Sequence, residues 1–171
     1  GDRNTALGTF SLENNTTGND NTAIGRNTLA TNTTGSNNTA LGRDALTANT
    51  TASNNIAIGY QALVANTTGT TNVAIGVIAL DANTTGGNHV AIGYNALGAN
   101  TTASNNVAVG YNCLASNIGG QYSVALGTNA LYASNADYNV ALGYNAGTAI
   151  TTGSKNTALG AEALDTCTTG A

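Results

Sequence analysis

The chain has 171 residues, 41% hydrophobic and only 7% charged, with four basic and eight acidic side chains giving a net charge of -4. That balance supplies neither a cationic stripe to neutralise phosphates nor a basic face for anionic lipid, which argues against nucleic acid and membrane surfaces as partners. No run approaches the ~18 apolar residues that span a bilayer, so no membrane insertion is expected in this segment.

Gly8, Gly25, Gly42, Gly59, Gly76, Gly93, Gly110, Gly127, Gly143 and Gly160 recur every 17 residues, with a single step of 16 between Gly127 and Gly143. Self-similarity at a fixed period predicts stacked units that touch only their neighbours. The expected architecture is an all-β parallel β-solenoid, a β-roll of ten coils, forming a single domain over residues 1–171. The chain opens on Gly1 without Met or an apolar leader, and it is expected to be a fragment of something longer.

Within each coil the first element ends on the glycine. With that glycine as position zero, position minus one is always Ile, Leu or Val, and position minus three is Thr, Val or Ile, as in Asn72-Val73-Ala74-Ile75-Gly76. Alternation with period two puts these on one face of a strand and the alanine and glycine on the other. The small face suits a close approach by another backbone.

The second element is a short apolar stretch four residues later, with Leu12, Leu29, Leu46, Leu63, Leu80, Leu97, Leu114, Leu131 and Leu164 in one column. It is expected to be a second strand, with alanine at position plus three in seven of the ten coils and a large residue beside it. The column fails at Gly147, in the coil that follows the short step. The stretch from Asn135 to Gly147 is therefore expected to be irregular, with lowered protection from hydrogen exchange. Each coil then turns through Asn-Thr-Thr-Gly or a relative of it, as at Asn32-Thr33-Thr34-Gly35, residues that tolerate positive φ. A helical hairpin repeat is disfavoured because Thr, Asn, Gly and Val are poor helix formers.

One leucine, one isoleucine-like residue and one Val or Thr per coil make a thin core against the entropy of ordering 17 residues. Self-association about a closed axis is expected to bury the remainder, with three copies favoured.

At this point the reiterated Asn-Val-Ala-Ile-Gly, seen at Asn72 to Gly76 and with Val109 in place of Ile at Asn106 to Gly110, resembles the head repeat of trimeric autotransporter adhesins. It is also similar to repeats in tail fibres of bacteriophages and other viruses. The resemblance implies a left-handed roll, a homotrimer and an extracellular location on a cell surface or virion fibre. Its adhesin members commonly run shorter coils and lack the Asn-Thr-Thr-Gly turn, so no receptor contact is carried across.

Two columns are candidate sites. Asn15, Asn32, Asn49, Asn66, Asn83 and Asn100 each open an Asn-Thr-Thr triplet that reads first as a ladder of turn residues bonded from coil to coil, and alternatively as an acceptor for glycosylation. Arg26, Arg43, Tyr60, Tyr94, Tyr111 and Tyr144, each just after the strand glycine, form an amphipathic column fit for a glycan or matrix-protein contact, or for simple stacking in solvent. Cys113 and Cys167 lie three repeats apart, about 14 Å along the stack, too far for a disulfide that needs Cα atoms within about 7 Å. Cys113 reads as a small buried hydrophobe, and His89 as a polar substitute in a column of asparagines.

No carboxylate pair, metal-ligand spacing or nucleophile-base set is apparent, so no cofactor, metal site or enzymatic activity is expected. The functions to weigh are a structural shaft or head of a trimeric fibre, a glycan- or matrix-binding flank, and an ice-binding solenoid built on threonine columns.

Overall fold

The computed structural model describes residues 1–169. Ten strands of three residues stand in one parallel sheet in chain order: β1 (Thr5–Leu7), β2 (Thr22–Ile24), β3 (Thr39–Leu41), β4 (Ile56–Ile58), β5 (Val73–Ile75), β6 (Val90–Ile92), β7 (Val107–Val109), β8 (Val124–Leu126), β9 (Val140–Leu142) and β10 (Thr157–Leu159). Each residue pairs with its counterpart one period on, Ala74 with Ala57 and Ala91 for example, so like side chains superpose along the stack. Among the described residues there is no helix. The solenoid expected from the period is the architecture observed.

The strand turns its small side inward. Ala23, Ala40, Ala57, Ala74, Ala91, Ala108, Ala125 and Ala141 are fully buried and line one wall of the core. The opposite wall is the leucine column, buried without exception from Leu29 to Leu131. Positions minus three and minus one therefore face out.

The glycine that closes each strand is set by backbone, not by side-chain preference. Gly25 has φ of 132°, and a Cβ there would lie 2.8 Å from the carbonyl of Gly42 in the next coil. No L-residue fits both the dihedral and the gap.

The expected second strand is not formed. Positions plus two and plus four both have positive φ, for instance 57° at Asn27 and 49° at Leu29, and two left-handed residues so close bend the chain into a turn. Coils remain bonded through it, Leu29 N–H donating to Ala45 O at 3.2 Å and Asn27 N–H to Thr9 O at 2.9 Å. A left-handed leucine costs about 1–2 kcal/mol. Full burial of its side chain contributes about 1.5–3 kcal/mol, and burial wins.

The irregular stretch keeps its connections. In regular coils the N–H groups of both turn threonines donate to one carbonyl of the next coil, Thr33 and Thr34 to Thr50 O. The short coil lacks a residue there. The side-chain oxygen of Asn135 takes the carbonyl's place, accepting from Ile118 N–H at 3.0 Å and Gly119 N–H at 2.8 Å.

One coil later Gly147 occupies the leucine position with φ of 62°, close to the value at the leucines. Ile150, fully buried, fills the space from the position that asparagine holds in the regular coils. A Cβ on Gly147 would stand 3.1 Å from Ile150 Cδ1 and 2.9 Å from Leu131 Cδ2.

Gly147→Leu alone should therefore crowd the core, costing about 1–3 kcal/mol, and Ile150→Asn alone should leave a cavity, costing about 2–5 kcal/mol. Together they rebuild the regular coil. Chemical denaturation of the four proteins of the cycle should show a favourable coupling above 1 kcal/mol; simple additivity would contradict this packing.

Candidate functional site

Two columns of polar side chains run inside the coil. Position minus four carries Asn21, Asn38, Asn55, Asn72, Asn106 and Asn139, all buried; position plus seven carries Asn32, Asn49, Asn66, Asn83, Asn100 and Asn117, all fully buried. The two columns converge. Asn38 Nδ2 donates to Ala52 O at 2.9 Å and Asn49 Nδ2 donates to the same oxygen at 3.0 Å. Asn49 also donates to Asn32 Oδ1 at 2.9 Å, and Asn55 N–H to Asn38 Oδ1 at 3.0 Å.

The Asn-Thr-Thr stripe is thus an interior ladder from Asn32 onward, with only Asn15 partly exposed at the end of the stack. The nitrogen that would carry a sugar is sealed in the core and already donates two hydrogen bonds, so a glycan at Asn49 or Asn66 is incompatible with this packing. The ladder reverses at Asn100, whose Nδ2 donates forward to Asn117 Oδ1 at 3.5 Å. Asn83 Oδ1, Asn100 Oδ1 and Asn117 Nδ2 are left without partners. A half-turn of the Asn100 and Asn117 amides resumes the original direction and pairs all three, so they mark no ligand.

The Tyr and Arg column lies outside, and it is not continuous. Val77 separates Tyr60 from Tyr94 and Thr128 separates Tyr111 from Tyr144. Arg43 is held on both sides, its Nε 3.0 Å from Asp44 Oδ2 and its guanidinium 5.3 Å from the Tyr60 ring centre. Arg26, one coil away, is exposed. Tyr94 and Tyr111 stack with centres 5.2 Å apart and planes at 13°, each ring covering part of a face of the other. Tyr144 stands alone in the column. A second stacked pair, Tyr122 and Tyr138 at 5.1 Å, escaped the sequence reading. Its signal was a spacing of 16, equal to the short step.

The other face of the strands also points outward. Ile56, Val140, Leu41, Leu126 and Leu142 are exposed, and Val73, Ile75, Val90, Ile92, Val107 and Val109 are half-buried only by one another's company along the stack. These residues make an apolar ridge two side chains wide from β4 to β9, narrowed to one beside threonine in β1, β2, β3 and β10.

The Cys113 thiol is held in an unreactive setting. Cys113 is fully buried in an alanine slot, its thiol donating to Ala125 O at 3.1 Å, and burial pushes its pKa up to about 12. Both cysteines are free thiols. Among the described residues there is no pocket and no cluster of three potential metal ligands, and no helix is long and apolar enough to cross a membrane. No protein-family model, curated protein or solved structure matches the chain.

The two readings of the stripe separate at one coil. Asn66→Ala removes two donated bonds and strands the Asn83 amide, and should cost about 2–4 kcal/mol. Thr68→Ala destroys the same acceptor motif at an exposed threonine and should cost under about 0.5 kcal/mol. Equal losses in urea denaturation would contradict the interior ladder.

Proposed function

We propose that this chain is a shaft or head segment of a homotrimeric extracellular fibre, wound left-handed, giving rigid extension and presenting a surface for attachment. The single observation behind this reading is the apolar ridge. A soluble monomer rarely leaves a long flat row of aliphatic side chains open to water, because such a face recruits further chains. A ridge two side chains wide suits a three-fold axis, where each copy meets two others and no face is left over. Ten coils at about 4.8 Å per coil extend about 48 Å, and the ladders that stack them leave little freedom to bend.

Sedimentation equilibrium should return about three times the 16.8 kDa of one chain. Ile75→Asp with Ile92→Asp, at half-buried outward positions of inner coils, should shift the mass to one chain while the β spectrum persists. A wild-type mass of one chain in dilute solution would remove the trimer.

The second reading is a glycan- or matrix-binding flank at Arg26, Arg43, Tyr60, Tyr94, Tyr111 and Tyr144. The exposure of the Tyr94 and Tyr111 pair favours it, since stacked tyrosines offer a large amphipathic area already ordered before contact. Replacing both by serine should abolish retention on an array of cell-surface glycans and matrix proteins without changing the fold. Retention unchanged by the double substitution would retire this flank.

A further inference from the structure

At position minus four the inward residue is asparagine in eight coils, Ser123 in one and His89 in one. The histidine is buried and takes over the asparagine's bonds almost atom for atom. Its backbone N–H donates to Asn72 Oδ1 at 3.0 Å, as each ladder member does to the one before it. Its Nε2 lies 2.6 Å from Ala103 O, where an asparagine Nδ2 would donate. Its Nδ1 accepts Asn106 N–H at 3.3 Å, where an asparagine Oδ1 would accept. A carbonyl can only accept and a backbone N–H can only donate, so the ring is the neutral tautomer with hydrogen on Nε2.

The imitation fails in one respect. An amide oxygen does not take up a proton near neutral pH, whereas imidazole Nδ1 does. We propose that His89 is an acid-sensitive latch between the sixth and seventh coils: a proton on Nδ1 removes the acceptor of Asn106 N–H and loosens the ladder locally at that junction.

The surroundings offer the cation the Ala103 carbonyl but no opposite charge. Ala103 and Asn106, which bond the ring, and Asn72, which accepts the backbone N–H, are uncharged, and β5, β6 and β7 contain only Val, Ala and Ile. The ionisable groups of the flanking coils are Asp81 on a turn, Tyr94 and Tyr111 facing out, and Cys113 bonded to Ala125 O; none bonds the ring. Burial accordingly holds the His89 pKa below its ordinary value.

The sign follows from linkage. The opened junction binds the proton more readily than the closed one, so closure is fully favoured above about pH 6.5 and weakens as pH falls toward the depressed value. The same coil carries Gly86, Gly87, Gly93 and Gly98, which give the released backbone unusual freedom. The pairing of β6 with β7 and the bond from Leu97 N–H to Cys113 O still join the two coils, so the opening is confined to the ladder around Asn106.

Amide protection factors, corrected for intrinsic exchange at each pH, test the latch in the whole chain and in His89→Asn, which restores the ladder's own residue. Between pH 7.5 and 5.0 the protection of Asn106 should fall by up to about 30-fold, while Thr39 and Asn55 in earlier coils hold theirs and His89→Asn holds throughout. Nitrogen shifts of the ring should report hydrogen on Nε2 at pH 7.5. No acid loss at Asn106, an equal loss in His89→Asn, a uniform loss in all coils, or hydrogen on Nδ1 would each overturn it.

Discussion

Everything in this solenoid depends on buried asparagine amides finding their own kind one coil away. An amide carries both a donor and an acceptor, so a column of identical asparagines can satisfy itself without end, each Nδ2 or backbone N–H meeting the Oδ1 of its neighbour. Two such columns also hold a shared backbone carbonyl, as Asn38 and Asn49 hold Ala52 O. A buried amide left unpaired costs about 1–3 kcal/mol, comparable to what one core leucine contributes by burial. The polar ladder thus enforces the period as strongly as the apolar core does. It also explains how so thin a core of alanine and leucine suffices to keep the coils in register.

The same constraint shows which departures are tolerated. Asn135 supplies from a side chain the carbonyl that the short coil lacks. Ile150 abandons the polar ladder and instead restores the volume that Gly147 gives up. His89 keeps both functions of the amide by using two ring nitrogens. In each case the atom type at a point in space is preserved while the residue supplying it changes. A coil is therefore better described by its donors, acceptors and volumes than by its letters.

This is also why the fold was more legible in the sequence than its interior was. The glycine period located all ten strands, because a backbone gap that admits no Cβ leaves no choice of residue. The leucine column pointed correctly to the core, yet suggested a strand. Apolar spacing records which side chains are buried and says nothing of the sign of φ, and left-handed Leu29 is sterically disfavoured enough not to be expected. The Asn-Thr-Thr columns were legible as a ladder of turn residues but not as an interior one, because asparagine and threonine are ordinary turn residues. Only the three-dimensional path shows that a turn can point its asparagine inward and its second threonine outward. The Tyr and Arg column was legible as exposed, but the breaks at Val77 and Thr128 matter more in space, where stacking requires adjacent coils.

Inside and outside are chemically inverted relative to an ordinary sheet. The strand buries alanine and presents valine, isoleucine and leucine, with threonine at one outward position of four strands, while the amides that would normally face water are enclosed. Enclosed amides need exact counterparts and so fix the rod lengthwise; exposed aliphatic rows need only apolar company and so invite lateral packing. Axial order and side-to-side association are thereby assigned to different residues of the same pentad, Asn72 for the first and Val73 with Ile75 for the second. A substitution in one set leaves the other intact. That separation lets a repeat vary its outer columns coil by coil, from Arg26 to Tyr111, while the ladder within continues unchanged.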